Sequence, residues 1–218
     1  VKKTLIVIPA LNEAATIAQV ASEARAFGDV HVVDDGSSDQ TAQKAQEAGA
    51  SVSRHPVNKG YDCSLETGIS YALAQGYYAA ITVDADGQLP VERVPEFISL
   101  LENGSDIVVG DRGGGLPRWS EILFSFIGKR VMELSDPFCG MKAYKLDFLR
   151  KIGLKNSYLS IGTETTMRIL AHGGRLKNLP IEVAPRDGVS RMGSRIKSEI
   201  VLGKAVFVGL SYYFKNRK

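Results

Sequence analysis

The sequence predicts an α/β fold: a doubly wound, Rossmann-like, mainly parallel sheet flanked by helices, with an amphipathic helix at the C-terminal end. Three observations carry this. Apolar runs of strand length alternate with longer helical patterns through the first half of the chain. Successive strand-like runs are followed by loops rich in Asp, Asn, Ser and Gly. With 218 residues, 44% hydrophobic and 23% charged, the chain is long enough for one sizeable core.

The elements follow in order. Thr4–Ile8 reads as a strand, 14–26 as a helix, Val30–Val33 as a strand, 40–48 as a helix and 51–53 as a short strand. A helix over 64–75 and a buried strand, Ala79-Ala80-Ile81-Thr82-Val83, come next. A helix over 91–102 and a strand over 106–109 complete the alternation. After Arg112 the rhythm changes: Gly113-Gly114-Gly115-Leu116-Pro117 demands a loop, 119–134 is helical, and 136–144 has little periodicity. The range 162–171 reads as a helix, and 175–183 as a strand whose Pro180 puts its end near a sheet edge. The stretch 196–214 is mostly apolar but interrupted by Lys197, Glu199 and Lys204, too short an apolar run for a membrane span of about 20 residues. It reads as an amphipathic helix that packs on the fold, with a second subunit or a bilayer interface as the other surfaces it suits. The expected organisation is one domain over 1–218: a first half to 112, a second over 113–195, and the terminal helix over 196–218.

The net charge of +3 is too small for a general polyanion binder, so nucleic acid is not an expected partner. The basic excess gathers at the end, where 186–218 holds eight Lys and Arg against Asp187 and Glu199. That tail suits a solvated end or a contact with phosphate or an anionic membrane surface. Cys63 and Cys139 lie far apart without metal-ligand spacing, and no signal peptide pattern opens the sequence, so a reducing cytoplasm is the expectation.

The chemistry concentrates behind the strands. Asp84-Ala85-Asp86-Gly87-Gln88 places two carboxylates one residue apart at the carboxyl end of a buried strand. Ligands of parallel sheets collect there, and hard oxygen donors suit Mg²⁺ or Mn²⁺ on a substrate's phosphates. Pro9-Ala10-Leu11-Asn12-Glu13 follows the first strand and Asp34-Asp35-Gly36-Ser37-Ser38-Asp39 the second. Either loop alone fits ordinary helix capping. A calcium loop lacks its further acids and terminal Glu. A phosphatase of the haloacid-dehalogenase type would close its first strand with Asp-x-Asp and continue Gly-Thr, whereas here the pair closes about the fourth.

Together, the segments Val7–Glu13, Val33–Asp39 and Asp84–Gln88 with Pro90 and Glu92 resemble glycosyltransferase family 2, of the GT-A fold. Gly110-Asp111-Arg112, Asp136-Pro137-Phe138-Cys139-Gly140-Met141-Lys142-Ala143-Tyr144 and Gly162-Thr163-Glu164 are similar to motifs of its polyprenol-phosphate branch, the dolichol-phosphate mannose synthases. Arg191-Met192-Gly193-Ser194-Arg195 resembles that branch's basic phosphate loop. The chain departs from the branch at Cys139, Met141 and Lys142, and in Lys59-Gly60-Tyr61-Asp62-Cys63, where small residues around Gly-Lys-Gly are usual.

The resemblance implies an inverting, metal-dependent glycosyltransferase acting on a UDP- or GDP-linked sugar at the cytoplasmic membrane face, with a polyprenyl phosphate as preferred acceptor. A saccharide or other hydroxyl acceptor is the alternative, and a non-catalytic nucleotide-sugar-binding protein the reading from another class. By the same resemblance Pro9, Leu11, Glu13, Asp35 and Gly36 line the nucleotide pocket, with Asp35 toward the base. Asp84, Asp86 and Gln88 hold Mg²⁺ or Mn²⁺, and Asp86, Glu164 and Arg112 serve the chemistry. Guanidinium groups suit bidentate phosphate contacts, which makes Arg112, Arg118, Arg191 and Arg195 candidates for an acceptor phosphate. His31 reads as packing, and His55 lies beyond the third strand within reach of a nucleotide.

Overall fold

The computed structural model describes residues 2–113, 119–157, 160–184 and 208–216, with the backbone alone for 119–124. The chain runs β1 (Thr4–Ala10), α1 (Ile17–Ala24), β2 (Asp29–Asp34), α2 (Thr41–Glu47), β3 (Ser51–Arg54), α3 (Tyr61–Ala74) and β4 (Ala79–Thr82). A 3₁₀ turn (Val91–Arg93) leads into α4 (Val94–Glu102), followed by β5 (Ile107–Asp111), α5 (Trp119–Met132), β6 (Lys142–Lys145), α6 (Leu146–Ile152), α7 (Ile161–Ala171) and β7 (Leu176–Pro180). Residues 208–216 form a further helix, α8.

The seven strands make one sheet in the order β3-β2-β1-β4-β6-β5-β7. β1 lies parallel between β2 and β4, and every residue of β1 and β4 is buried. Continuous apolar runs are what a parallel strand covered on both faces requires. The chain winds outward from β1 to β3, then crosses back through α3 to β4 on the other side of β1. A crevice therefore opens between β1 and β4 at the carboxyl ends of the strands, the usual ligand position in such sheets. α3 crosses β1 closely: a Cβ on Gly68 would lie 2.2 Å from Val7 Cγ1.

The first strand extends through Pro9 into Ala10. Val7 O accepts from Val83 N–H, so the same edge of β1 at Pro9 faces β4 beyond its last pair, Val7 with Thr82. The missing proline N–H interrupts no ladder bond there.

Two elements were not foreseen. β6 inserts antiparallel between β4 and β5, inside the stretch without periodicity, and α6 follows it directly. Because β6 is reversed, Lys142 at its start pairs with Thr82 and Val109 near the carboxyl ends of β4 and β5. β7 is an edge strand ending in Pro180, as expected. α8 packs on α7: the Tyr212 ring stacks on His172 at 6.4 Å, the Arg168 guanidinium lies 5.0 Å over Tyr212, and Tyr213 is buried. Among the described residues no helix is long and apolar enough to cross a membrane.

Candidate active site

The loops behind β1, β2 and β4 are stitched into one surface. Asn12 adopts a left-handed conformation (φ 51°), which Asn tolerates better than most residues. Its N–H donates to Ser37 Oγ (2.9 Å), and its Oδ1 accepts from Ser38 N–H (2.8 Å). Glu13 N–H donates to Thr41 Oγ1 (2.8 Å) and Ala14 N–H to Asp39 Oδ2 (3.2 Å). The Thr16 hydroxyl donates to Ala85 O (2.7 Å), tying the first loop to the aspartate pair. The Asp, Ser and Thr of the second loop thus hold the first as well as starting α2.

Asp35 and Gly36 make contacts within the chain that the sequence did not show. Asp35 is buried, and its carboxylate accepts from the His55 ring (2.7 Å), Lys59 N–H (2.8 Å) and Gly60 N–H (2.8 Å). It organises the 55–60 loop, with His55 bonded in turn to Thr67 Oγ1 (3.0 Å). Gly36 has φ 75° and leaves no room for a side chain, since a Cβ would lie 2.8 Å from Val57 C. The close backbone approach that needs this glycine is to the chain's own 57–58 segment.

At the end of β4, Asp84 and Asp86 sit half-buried beside one another. Asp84 Oδ1 accepts from the Tyr61 hydroxyl (2.7 Å), and a Cβ on Gly140 would lie 2.3 Å from Asp84 Oδ2. Burial pushes the Asp84 carboxyl above its ordinary value and the charge of Asp86 adds to this, against the opposing hydrogen bond from Tyr61. Burial likewise raises the Tyr61 phenol well above its ordinary value, with Asp84 contributing. Asp86 Oδ1 accepts from Gln88 N–H (3.2 Å). The Gln88 amide nitrogen donates to Ala184 O (3.0 Å), so this side chain anchors the segment after β7. A metal-ligand role for Gln88 falls to its amide oxygen.

On the far side, Arg112 makes a bidentate pair with buried Asp136, Nε to Oδ2 at 2.6 Å and an Nη to Oδ1 at 3.0 Å. Sequence reasoning gave Arg112 to a phosphate; the structure commits two of its nitrogens to locking the loop before β6. Lys142 is buried with its ammonium on Cys139 O, and burial lowers its pKa. Burial pushes the Cys139 thiol up to about 11, which leaves it inert. Glu164 lies in the first turn of α7, 7% exposed, its Oε2 accepting from Ser157 N–H (2.7 Å). Asp62 accepts from Ile161 N–H (2.6 Å), bringing the start of α3 against the start of α7. A cleft of about 850 Å³ runs between Gln88, Arg93, Arg112 and residues 180–183. Arg118, Arg191 and Arg195 lie outside the described residues.

Sequence reasoning missed Tyr61, Asp136 and Lys142 as parts of this site. Each stands in a segment already singled out, but only folding shows which group each one meets: Asp84 for Tyr61, Arg112 for Asp136 and the Cys139 carbonyl for Lys142.

Among the described residues no third His, Cys, Asp or Glu joins Asp84 and Asp86 in a metal-holding group. Two carboxylates whose charges oppose one another, set in a crevice, are a donor set that a divalent cation completes with phosphate oxygens and water, as Mg²⁺ usually does.

A doubly wound sheet with acidic loops converging on its switch point places a ligand site there, and residues 5–143 match glycosyl transferase family 2. The chain belongs to that family and is a glycosyltransferase of the GT-A fold. A dolichol-phosphate mannosyltransferase of Pyrococcus furiosus is 30% identical over 240 residues, covering 99% of this chain, which spans 64% of that relative's length. A dolichyl-phosphate hexose transferase of Haloferax volcanii is 30% identical over 168 residues, 72% of this chain and 71% of its own. Among solved structures, glucosyl-3-phosphoglycerate synthase from Mycobacterium tuberculosis, in complex with Mn²⁺, UDP and glucosyl-3-phosphoglycerate, superposes with a TM-score of 0.75 at 19% identity, covering 97% of this chain and 80% of that one. The same synthase was also crystallised with Mg²⁺ and UDP.

Proposed function

We propose that this enzyme moves a hexose, with inversion, from a UDP- or GDP-linked donor to a polyprenyl phosphate, and that Asp84 and Asp86 hold Mg²⁺ or Mn²⁺ on the donor's diphosphate. The observation that carries this reading is the stitching of the three loops behind β1, β2 and β4 around the two carboxylates. The family supports the donor class, the relatives' names the lipid phosphate, and the mycobacterial complexes the metal.

Leu11, Glu13 and the backbone beside Asp35 enclose the nucleotide at the mouth of the crevice, and Asp35 acts there by holding the 55–60 loop. Asp84 and Asp86 would hold the divalent ion, which would supply charge compensation to the departing diphosphate. The bond from the anomeric carbon to the diphosphate oxygen breaks while one to the acceptor oxygen forms on the opposite face. An acceptor phosphate is already anionic at neutral pH and needs no base, whereas a hydroxyl acceptor must surrender a proton. Glu164, in the first turn of the helix whose start bonds Asp62, is the group for that second case. The basic residues after Arg186 suit the anionic surface on which a lipid phosphate is presented at the cytoplasmic membrane face.

The test is a mass-spectrometric transfer assay crossing UDP- and GDP-sugars with polyprenyl phosphate and free saccharides, for the parent enzyme and Glu164→Gln. The proposal predicts transfer to the lipid phosphate, with Glu164→Gln retaining a substantial part of it. Transfer to saccharides alone, with a loss of about 10²- to 10⁴-fold in Glu164→Gln, assigns the base role and rejects the lipid acceptor.

A further inference from the structure

Tyr61 stands where the donor-site loops meet the acceptor side. It opens α3 directly after Gly60, whose φ of 95° and ψ of 160° favour glycine. The 59–60 backbone is pinned by Asp35, so the position of Tyr61 is set from the end of β2. From there its hydroxyl reaches across to Asp84 Oδ1 at 2.7 Å, at the end of β4. The next residue, Asp62, bonds the first residue of the helix that carries Glu164. Tyr61 thus joins the aspartate pair while its neighbour joins the Glu164 helix. Yet 48% of Tyr61 is exposed, among the few large apolar side chains so open. The hydroxyl end is anchored while about half of the side chain stays open.

In a glycosyl transfer the sugar lies beyond the diphosphate, between the groups that hold the phosphates and those on the acceptor side. An aromatic ring there offers its π face to the C–H groups on one face of a hexose, whose hydroxyls point outward around the rim. A phenol anchored at its oxygen has little freedom left to lose on binding, which suits it to stacking. A carboxylate near a metal is commonly oriented by a further hydrogen bond of this kind.

Resting on the donor reading above, we propose that Tyr61 is a specificity-determining residue for the donor's sugar: its ring is the platform on which the hexose stacks, and its hydroxyl fixes the orientation of Asp84. The two roles separate by substitution. Tyr61→Phe removes the hydroxyl and keeps the ring; Tyr61→Leu removes both and keeps an apolar bulk that can start α3.

The experiment is titration calorimetry in Mn²⁺ with UDP against UDP-glucose and GDP against GDP-mannose, together with Mn²⁺ affinity in the diphosphate complex read by electron paramagnetic resonance. The readout is the affinity for each nucleotide sugar relative to its own diphosphate, which a general loosening of the site leaves unchanged. For the pair the parent enzyme binds, Tyr61→Leu lowers that ratio by about tenfold, and Tyr61→Phe leaves it within about twofold. Tyr61→Phe weakens Mn²⁺ by about tenfold, as loss of an orienting partner does. If Tyr61→Leu keeps the parent ratio while the parent binds nucleotide, the platform is wrong and the donor reading stands. If the parent enzyme binds none of the four nucleotides, the donor reading fails and takes the platform with it.

Discussion

Asp84 is held on both sides, by the Tyr61 hydroxyl at Oδ1 and the bare Cα of Gly140 at Oδ2, whereas Asp86 meets the backbone of its own turn. Single residues of this kind explain where the sequence was readable and where it was not. The pair itself was legible, because two carboxylates behind an apolar strand have few other uses. Its partners were not: a tyrosine at a helix start and a glycine far along the chain carry no signal for contact with a carboxylate. His31 shows the reverse case. It was expected to pack, and it does, stacked on Tyr71 at 3.9 Å with its ring nitrogens on Ser51 and Ser53. Burial lowers its pKa from 6.5 to about 4. The unfolded chain then takes up this proton near pH 6.5 and the folded protein only near 4, so the stability present above 6.5 is lost as the pH falls between those values. The loss is on the order of 3 kcal/mol. Urea unfolding at pH 7 and pH 4.5 checks this: His31→Gln, which can still bond the serines, has a smaller difference between the two pH values than the parent.

At the scale of elements, α3 does the most to assemble the site. It returns the chain from β3 to β4, creating the crevice, and carries Tyr61 and Asp62 at its start. Gly68 lies in its interior, where glycine costs a helix about 1 kcal/mol relative to alanine. The close crossing over Val7 accounts for it. Gly68→Ala is expected to destabilise by about 1–3 kcal/mol despite the better helix propensity, because α3 must lift from β1. Nucleotide affinity falls with it. A stabilised Gly68→Ala protein, seen as a raised midpoint in thermal unfolding, contradicts that packing account. The strand that sequence reasoning missed, β6, is four residues long and opens with a lysine. Such a strand reads as buried only once Lys142 is seen to reach Cys139 O beside Asp84 and Asp136. The Arg112–Asp136 pair was hidden for a related reason: the two residues stand 24 positions apart in the sequence.

Across the whole molecule, the parallel half of the sheet was legible because β1 and β4 are apolar runs buried along their length and a helix separates each strand from the next. The half containing β6 and β7 was less so, since an antiparallel insertion breaks that rhythm. The two halves nevertheless share one sheet, and the reversal of β6 brings the 136–142 segment to the same edge as the three acidic loops. That convergence is the basis for placing donor and acceptor chemistry on one crevice. The central claim is that the crevice binds a nucleoside diphosphate through a divalent ion at Asp84 and Asp86. Its most direct test is Mn²⁺ binding, followed by electron paramagnetic resonance with and without UDP or GDP, for the parent protein and Asp86→Ala. The account predicts that a diphosphate strengthens Mn²⁺ binding in the parent protein, and that Asp86→Ala weakens it by at least about 100-fold while the fold persists, a loss of several kcal/mol. Equal Mn²⁺ affinity in the two proteins, with the diphosphate present, would contradict it.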